Sequence, residues 1–379
     1  MTDVQRSALL LIKSAVTGQP VTLPESVRLA DVANLMRQSG MIALFYYGAE
    51  NSGLLENAKF LEALTDIICV ETFLSDRQLE TLEQLYAALE ENGIQYMPLK
   101  GALMKYIYPR PEMRTMSDAD ILIHSQDRQV LAQVMESLGY SPLSESDHEW
   151  NWTNDAIKVE LHKRLVSSDD REYYRYFGDG WQWAKTNTGC RWAMAAEDTF
   201  IFDFTHFTKH YCKSGVNVRH IVDLWLHTTK NPDLNMAYIR NQLSQMRLEV
   251  FFDHVMAMMR AWFEDGAWDP RLEFMTDYIF SGGVSKAVSD QVRAGSGKKG
   301  KLQVLLHKLF PGRKHLDWNY PSLKKVPLPF AWVARWFMLL TSRKENARET
   351  SEKMKSVSTE SVKAHAQGLE YVGLQFPDQ

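Results

Sequence analysis

The sequence has few cysteines and no overall excess of basic charge. Only three cysteines, Cys69, Cys190 and Cys212, occur in 379 residues, and no Cys-x-x-Cys pair is present. This spacing fits neither a disulfide framework nor a zinc site, so a reducing, cytoplasmic location is predicted. The net charge of −4 excludes the overall positive field of a non-specific nucleic-acid binder. Nucleic acid is therefore a disfavoured partner, although a local basic patch remains open.

The sequence also lacks an apolar run long enough to cross a bilayer. The nearest, residues 326–340, carries Arg335 and begins with two prolines in its first four positions. We predict a helix docked on the core there, with an interfacial membrane contact as the alternative. No transmembrane segment is predicted, and residues 1–18 lack the basic and long apolar segments of a signal peptide.

Hydrophobic periodicity divides the chain into four segments. Apolar residues at three- and four-residue spacing predict a helical N-terminal segment, 1–92, which Gly93 ends. A core over 93–195 reads in the order β-α-β-α-β-β, which predicts an α+β fold with a small mixed sheet and helices on one face. A helical substrate-side domain follows at 196–280, and 281–379 is predicted to contain a linker and a C-terminal helical region.

Within the core, the change from helical to alternating period locates the individual elements. The predicted elements in this order are a strand at 94–99, a helix at 102–108, a strand at 118–123, a helix at 126–138, and a hairpin of 149–153 with 156–161. Residues 140–143 are a candidate for an additional short strand. The hairpin turns at Asn154-Asp155, a pair that tolerates the backbone angles of a tight turn.

Two aspartates lie in the apolar strand at 118–123. Residues two apart on a strand point to the same side, so Asp118 and Asp120 project together, opposite Ala119 and Ile121. Two adjacent buried carboxylates repel each other, and a divalent cation removes that penalty. By the same alternation Glu160 projects from the later strand, away from its apolar neighbours. Three such carboxylates suit a two-metal site for phosphoryl or nucleotidyl transfer.

A Lys-Gly turn, Lys100-Gly101, precedes the paired aspartates and joins a strand to a helix. Such a turn directs backbone N–H groups toward an anion.

Together these motifs resemble the polymerase-β-like nucleotidyltransferase superfamily, and more closely a bacterial family of uncharacterised nucleotidyltransferases. The resemblance covers about residues 25 to 345. It rests on Leu99-Lys100-Gly101, Tyr108-Pro109, Arg114, Asp118-Ala119-Asp120-Ile121-Leu122 and Glu160-Leu161-His162. The superfamily's turn usually carries Gly-Gly or Gly-Ser. Here Ala102 follows Gly101, so the hydroxyl is missing and Lys100 supplies charge instead.

The resemblance implies a role for each matched residue. Asp118 and Asp120 would bind two Mg²⁺ ions, with Mn²⁺ as the alternative metal, and Glu160 would complete the second site near the acceptor. Gly101 would let the backbone approach the phosphates, while Lys100 and Arg114 would neutralise triphosphate charge. The implied donor is an NTP, with ATP favoured, and the acceptor is an unidentified hydroxyl or phosphate.

Structural alternatives remain open for several of these residues. Lys100 could be a surface lysine, Glu160 an exposed strand residue, and Arg114 a structural partner of Asp118 or Glu112. His162 could orient Glu160, contact substrate or be exposed.

On the substrate side, His206 and His210 share a helix face that would line the cleft. Alternatively, they would bind a transition metal together with Asp223.

At the level of function, two alternatives remain open as well. One is a catalytically inactive nucleotide-binding or interaction protein on the same fold. The other is a toxin-like, tRNA-modifying nucleotidyltransferase.

Overall fold

A computed structural model of the protein divides into two compact units. The first contains Met1–Phe207 and Asn217–Ser281, and the second contains Thr208–Val216 and Gly282–Gln379. The structure describes residues 1–124, 128–168, 170–264, 266–293, 306, 309–313, 316, 320–342 and 358–374.

The first unit begins with helices, as the sequence predicts. These are α1 (Asp3–Thr17), α2 (Leu29–Gln38), α3 (Ile42–Asn51) and α4 (Ala58–Glu91). Helix α4 is followed by Gly93, whose φ of 64° is the left-handed conformation that favours glycine after a helix. The chain therefore turns sharply into the sheet.

The sheet is mixed and has seven strands in the order β3-β4-β5-β2-β1-β7-β6. The strands are β1 (Gln95–Leu99), β2 (Asp118–His124), β3 (Ser141–Glu145), β4 (Glu149–Thr153), β5 (Lys158–His162), β6 (Ala184–Thr188) and β7 (Arg191–Met194). The helices between them are α5 (Lys100–Met104), α6 (Arg128–Ser137) and α7 (Arg171–Phe177).

Strand β2 is central to the arrangement. It pairs antiparallel with β1 and parallel with β5, and β1 pairs parallel with β7 on its other side. Because parallel neighbours need a long connection, α6, β3 and β4 lie between β2 and β5 in the chain.

One face of the sheet is a buried apolar core. On β2 the core residues are Ala119, Ile121 and Ile123, and on β5 they are Val159 and Leu161. Helices α4 and α6 contribute Leu82, Leu85, Tyr86, Leu89, Leu131, Val134 and Met135 to the same cluster. The predicted alternation is therefore correct, and the remaining side chains of β2 and β5 point to the opposite face.

Helices follow the sheet. They are α8 (Ala196–Lys213), α9 (Val218–Lys230), α10 (Met236–Ser244), α11 (Glu249–Phe263) and α12 (Pro270–Phe280). In the second unit they are α13 (Lys286–Arg293), α14 (Leu328–Ser342) and α15 (Thr359–Tyr371). The predicted α+β class is confirmed. The division into four segments stays a prediction.

Element boundaries differ from the predicted ones mainly at turns. Strand β5 begins at Lys158, two residues later than predicted, because the turn extends to Ile157. The Asn154 side chain accepts hydrogen bonds from the backbone N–H groups of Ala156 and Ile157, which holds this wider turn. Helix α6 is described from Arg128, and the first predicted residues of that helix lie outside the described range.

The hairpin of β6 and β7 was not predicted. Strand β6 is polar from Lys185 to Thr188 and largely exposed, so it lacks the apolar alternation that marks a half-buried strand. It lies at the edge of the sheet, where such a strand is tolerated.

Helix α14 covers the apolar run for which a docked helix is predicted. Its Ala331 is buried in a cluster with Leu316 and Leu323. Within the described ranges, no helix has both the length and the apolar character needed to cross a membrane.

We expect Ile121→Ala to lower the free energy of unfolding by about 2–5 kcal/mol, because it opens a cavity at the centre of the apolar face. Leu143→Ala on edge strand β3, where the side chain is 55% exposed, should change it by less than about 0.5 kcal/mol. Urea unfolding followed by circular dichroism measures both. Equal effects would contradict the assignment of the core face.

Candidate active site

The pairing of β2 with β5 brings the three predicted carboxylates to one face. In this parallel register Asp120 lies beside Glu160, and Asp118 lies beside Lys158. All four residues point away from the apolar core, because their apolar neighbours on each strand point into it. The side of the sheet opposite the apolar core therefore carries these charged side chains, and we call it the charged face.

Asp120 is a buried carboxylate held by two donors. Lys100 Nζ donates to Asp120 Oδ1 at 2.6 Å, and His162 Nε2 lies 2.9 Å from the same oxygen. Burial by itself raises the pKa of Asp120, but the charge of Lys100 and the bond from His162 outweigh it and hold the pKa well below its usual range. Asp120 is thus ionised at neutral pH.

The turn after β1 delivers Lys100 to this carboxylate. Leu99, the last residue of β1, pairs with Asp120, so Lys100 follows directly beside that aspartate. Lys100 has a φ of 45°, a conformation that costs a residue with a side chain about 1–3 kcal/mol. The alternative of a surface lysine is wrong, because its side chain is only 16% exposed and is ion-paired.

A second lysine, Lys158, holds the other two carboxylates. Its Nζ donates to Glu160 Oε1 and lies 3.8 Å from Asp118 Oδ2. Burial raises the pKa of Glu160, and the hydrogen bond from Lys158 lowers it. The negative charge of Asp120 also raises it, so the net shift is upward. Glu160 is partly buried, so the alternative of an exposed strand residue is wrong.

Asp120, Glu160 and His162 form a group that could hold a metal ion. One ligand atom of each residue lies within 4.8 Å of the others. Carboxylate oxygens suit Mg²⁺ and Mn²⁺, and imidazole nitrogen is a common ligand of transition metals. The donor set therefore fits a divalent cation. Asp118 is not part of this group, and its side chain is 36% exposed.

Gly101, in the Lys-Gly turn, lies against the side chain of Arg114. A Cβ atom on Gly101 would lie 3.0 Å from Arg114 Nη1, so glycine at this position lets the arginine side chain approach the turn closely.

Arg114 is not paired with Asp118 or Glu112. Its Nε and Nη2 donate to the two oxygens of Asp223 at 3.2 and 2.9 Å, and Tyr108 Oη donates to Asp223 at 2.7 Å. This buried fork fixes the loop before β2 to helix α9.

Asp203 on α8 is a further acid near the charged face. Its Oδ2 is buried and has no hydrogen-bond partner among the described residues. Burial, with the negative charge of Asp223 added, raises the pKa of Asp203 to about 8, against the opposing charges of Arg114 and Lys100. No sequence pattern marks Asp203 as a site residue, because a single aspartate in an amphipathic helix is ordinary.

The histidines of the predicted substrate-side face lie on α8. The rings of His206 and His220 are 6.1 Å apart between centroids. His210 Nδ1 lies 3.1 Å from the backbone oxygen of Ser214. Asp223, which was grouped with these histidines in the transition-metal alternative, is bound by Arg114 and Tyr108 instead.

His162 is buried at the end of β5, so the alternative of an exposed residue is wrong. It bonds Asp120 more closely than Glu160, whose Oε2 is 3.8 Å from Nε2.

Sequence reasoning missed Lys158 as a site residue, although its alternation with Glu160 placed it on the same face.

Comparison with known proteins gives one match. The family model for "Uncharacterised nucleotidyltransferase" matches residues 25–264, which contain every residue of this site. No curated protein and no solved structure matches the chain.

Asp203 makes the stability of the protein depend on pH. A carboxyl whose pKa is about 8 when folded and about 4 when unfolded binds a proton on folding. The free energy of unfolding should therefore fall as the pH rises between these values, and Asp203→Asn should remove that fall. Urea unfolding at pH 5 and pH 8 measures it.

The matched control for this prediction is Asp233→Asn, at an exposed loop aspartate. We expect the free energy of unfolding of Asp203→Asn, relative to that of the wild type, to be higher at pH 8 than at pH 5. The control should show no such dependence on pH. The same difference between Asp203→Asn and the wild type at both pH values would contradict a raised pKa of Asp203.

Proposed function

The chain belongs to the uncharacterised nucleotidyltransferase family, and from this membership we propose that it transfers a nucleoside monophosphate from an NTP to a hydroxyl or phosphate acceptor. ATP is the favoured donor, and the reaction depends on Mg²⁺, with Mn²⁺ as the alternative. The observation that carries the proposal is the register of β2 and β5, which sets Asp118, Asp120 and Glu160 on one charged face.

In this proposal the carboxylates divide the cation sites between them. Asp118 and Asp120 would hold both ions, and Glu160 would complete the second position on the acceptor side. When bound, such cations neutralise the triphosphate and lower the pKa of an attacking hydroxyl. The exposure of Asp118 and the burial of Asp120 place the pair across the boundary between solvent and protein. A site of that kind remains open to a nucleotide.

Lys100 is positioned to serve two partners in the proposed reaction. Its ammonium group neutralises Asp120, and it would be available to the triphosphate if a cation took its place at that carboxylate. Gly101 keeps the turn narrow enough for the backbone to approach the phosphates. Arg114, packed against Gly101, adds positive charge behind the turn while it remains bound to Asp223.

Bond formation follows the usual balance of nucleotidyl transfer. The acceptor oxygen attacks the α-phosphorus, the bond to the β-phosphate oxygen breaks, and pyrophosphate leaves with the released electron pair. Glu160 receives the proton of the acceptor hydroxyl.

Replacing either aspartate should stop the reaction without unfolding the protein. We expect Asp118→Asn and Asp120→Asn to lower NTP-dependent pyrophosphate release at least about 100-fold, because each removes a charge that holds the cations. A screen of the four NTPs with Mg²⁺, followed by mass spectrometry of cell extract for added nucleotide mass, supplies the assay.

The matched control is Asp155→Asn, the same change at an exposed turn residue of the same sheet. It should retain wild-type turnover. Wild-type turnover in both site variants would contradict the proposal. Saturable NTP binding by the wild type without pyrophosphate release would favour a nucleotide-binding protein instead.

Glu160→Gln separates binding from turnover. Because Glu160 is placed on the acceptor side, we expect the variant to lose pyrophosphate release while its affinity for the NTP, measured by calorimetry with Mg²⁺, changes less than about threefold. A loss of NTP affinity in parallel with the loss of rate would contradict the acceptor-side role.

A further inference from the structure

His162 is buried beside two carboxylates of the charged face. It is 2% exposed, and its Nε2 lies 2.9 Å from Asp120 Oδ1 and 3.8 Å from Glu160 Oε2. An ionised carboxylate only accepts hydrogen bonds, so Nε2 carries a proton when no cation is bound. The same nitrogen is the atom that would bind a metal in place of that proton.

The charged face beside Glu160 contains a buried side-chain oxygen that lacks a hydrogen-bond partner among the described residues. Asn151 on β4 is 5% exposed, and its Oδ1 is buried without a hydrogen-bond partner in the part of the chain that the structure describes. Asn151 pairs with Glu160 in the antiparallel register, so both side chains lie on the charged face. An amide oxygen is a neutral ligand that a cation accepts, directly or through water.

The donors also differ between the two ends of the charged face. Asp118 offers only carboxylate oxygens and is partly exposed, whereas His162 adds an imidazole nitrogen in a buried setting. Mg²⁺ prefers an octahedron of oxygen ligands and gives up water reluctantly. First-row transition metals accept imidazole, and Mn²⁺ accepts carboxylates as well.

From this arrangement we propose that Asp120, Glu160 and His162 form a mixed oxygen–nitrogen site that binds Mn²⁺ more tightly than Mg²⁺, with His162 Nε2 as a direct ligand. The inference rests on the proposed function, because the same carboxylates serve both. It makes the two cation positions unlike: an oxygen-only position at Asp118 and a nitrogen-containing one at His162.

Electron paramagnetic resonance tests this with Mn²⁺ alone. The free Mn²⁺ signal gives the affinity of the purified full-length chain, and Mg²⁺ competition gives the preference. Pulsed measurements detect a ¹⁴N nucleus bound to the ion. We expect ¹⁴N coupling in the wild type, and we expect His162→Gln to abolish it and to weaken Mn²⁺ binding at least about tenfold.

Two histidine variants serve as matched controls. His124→Gln changes an exposed histidine at the end of β2, and His148→Gln changes one whose ring centroid is 5.9 Å from that of His162. Both should keep the ¹⁴N coupling. If His162→Gln does not fold, the wild type with ¹⁵N-labelled histidine replaces it, and the coupling should then change from ¹⁴N to ¹⁵N.

Three results would overturn the proposal: bound Mn²⁺ without nitrogen coupling in the wild type, coupling that persists in His162→Gln, or Mg²⁺ that displaces Mn²⁺ at equal concentration. Mg²⁺-dependent pyrophosphate release without nitrogen coupling would refute this site and leave the proposed function standing. Nitrogen coupling without pyrophosphate release from any NTP would support this site and contradict the proposed function.

Discussion

The buried carboxylate of Asp120 is the constraint on which the site depends. Burial of an ionised carboxylate costs free energy unless charges and hydrogen bonds compensate it. Here Lys100, in the turn after β1, and His162, at the end of β5, provide that compensation. This requires β1 to end beside Asp120 and β5 to run parallel to β2 in one register. A one-residue slip of either strand would send these side chains to the apolar face. The sheet register and the charged site are therefore mutually dependent.

The charges of the site are nearly balanced without a bound cation. Asp118, Asp120 and Glu160 contribute three negative charges, and the ammonium groups of Lys100 and Lys158 oppose two of them. In the proposed function a divalent cation would therefore compete with lysines already in place, and a triphosphate would give a displaced lysine a new partner. Cation and nucleotide are thus expected to bind together rather than independently.

Much of this face could be predicted from the sequence because strand alternation is a local property. The pattern around Asp118 and Asp120 placed them opposite Ala119 and Ile121, and the structure agrees. The partner of Arg114 could not be predicted, since Asp223 lies 109 residues later and belongs to a helix whose docking depends on the whole fold. The β6–β7 hairpin was missed for a different reason, because a polar edge strand has no hydrophobic period to detect.

In the proposed function, Lys100 would leave Asp120 when a cation and a nucleotide bind. The most direct measurement is a crystal structure with Mn²⁺ and a non-hydrolysable NTP analogue, in which anomalous scattering locates the metal. We expect a manganese peak at Asp120, with Lys100 Nζ moved from that carboxylate to the triphosphate. A peak away from Asp120, with Lys100 still bound to it, would contradict the proposed exchange.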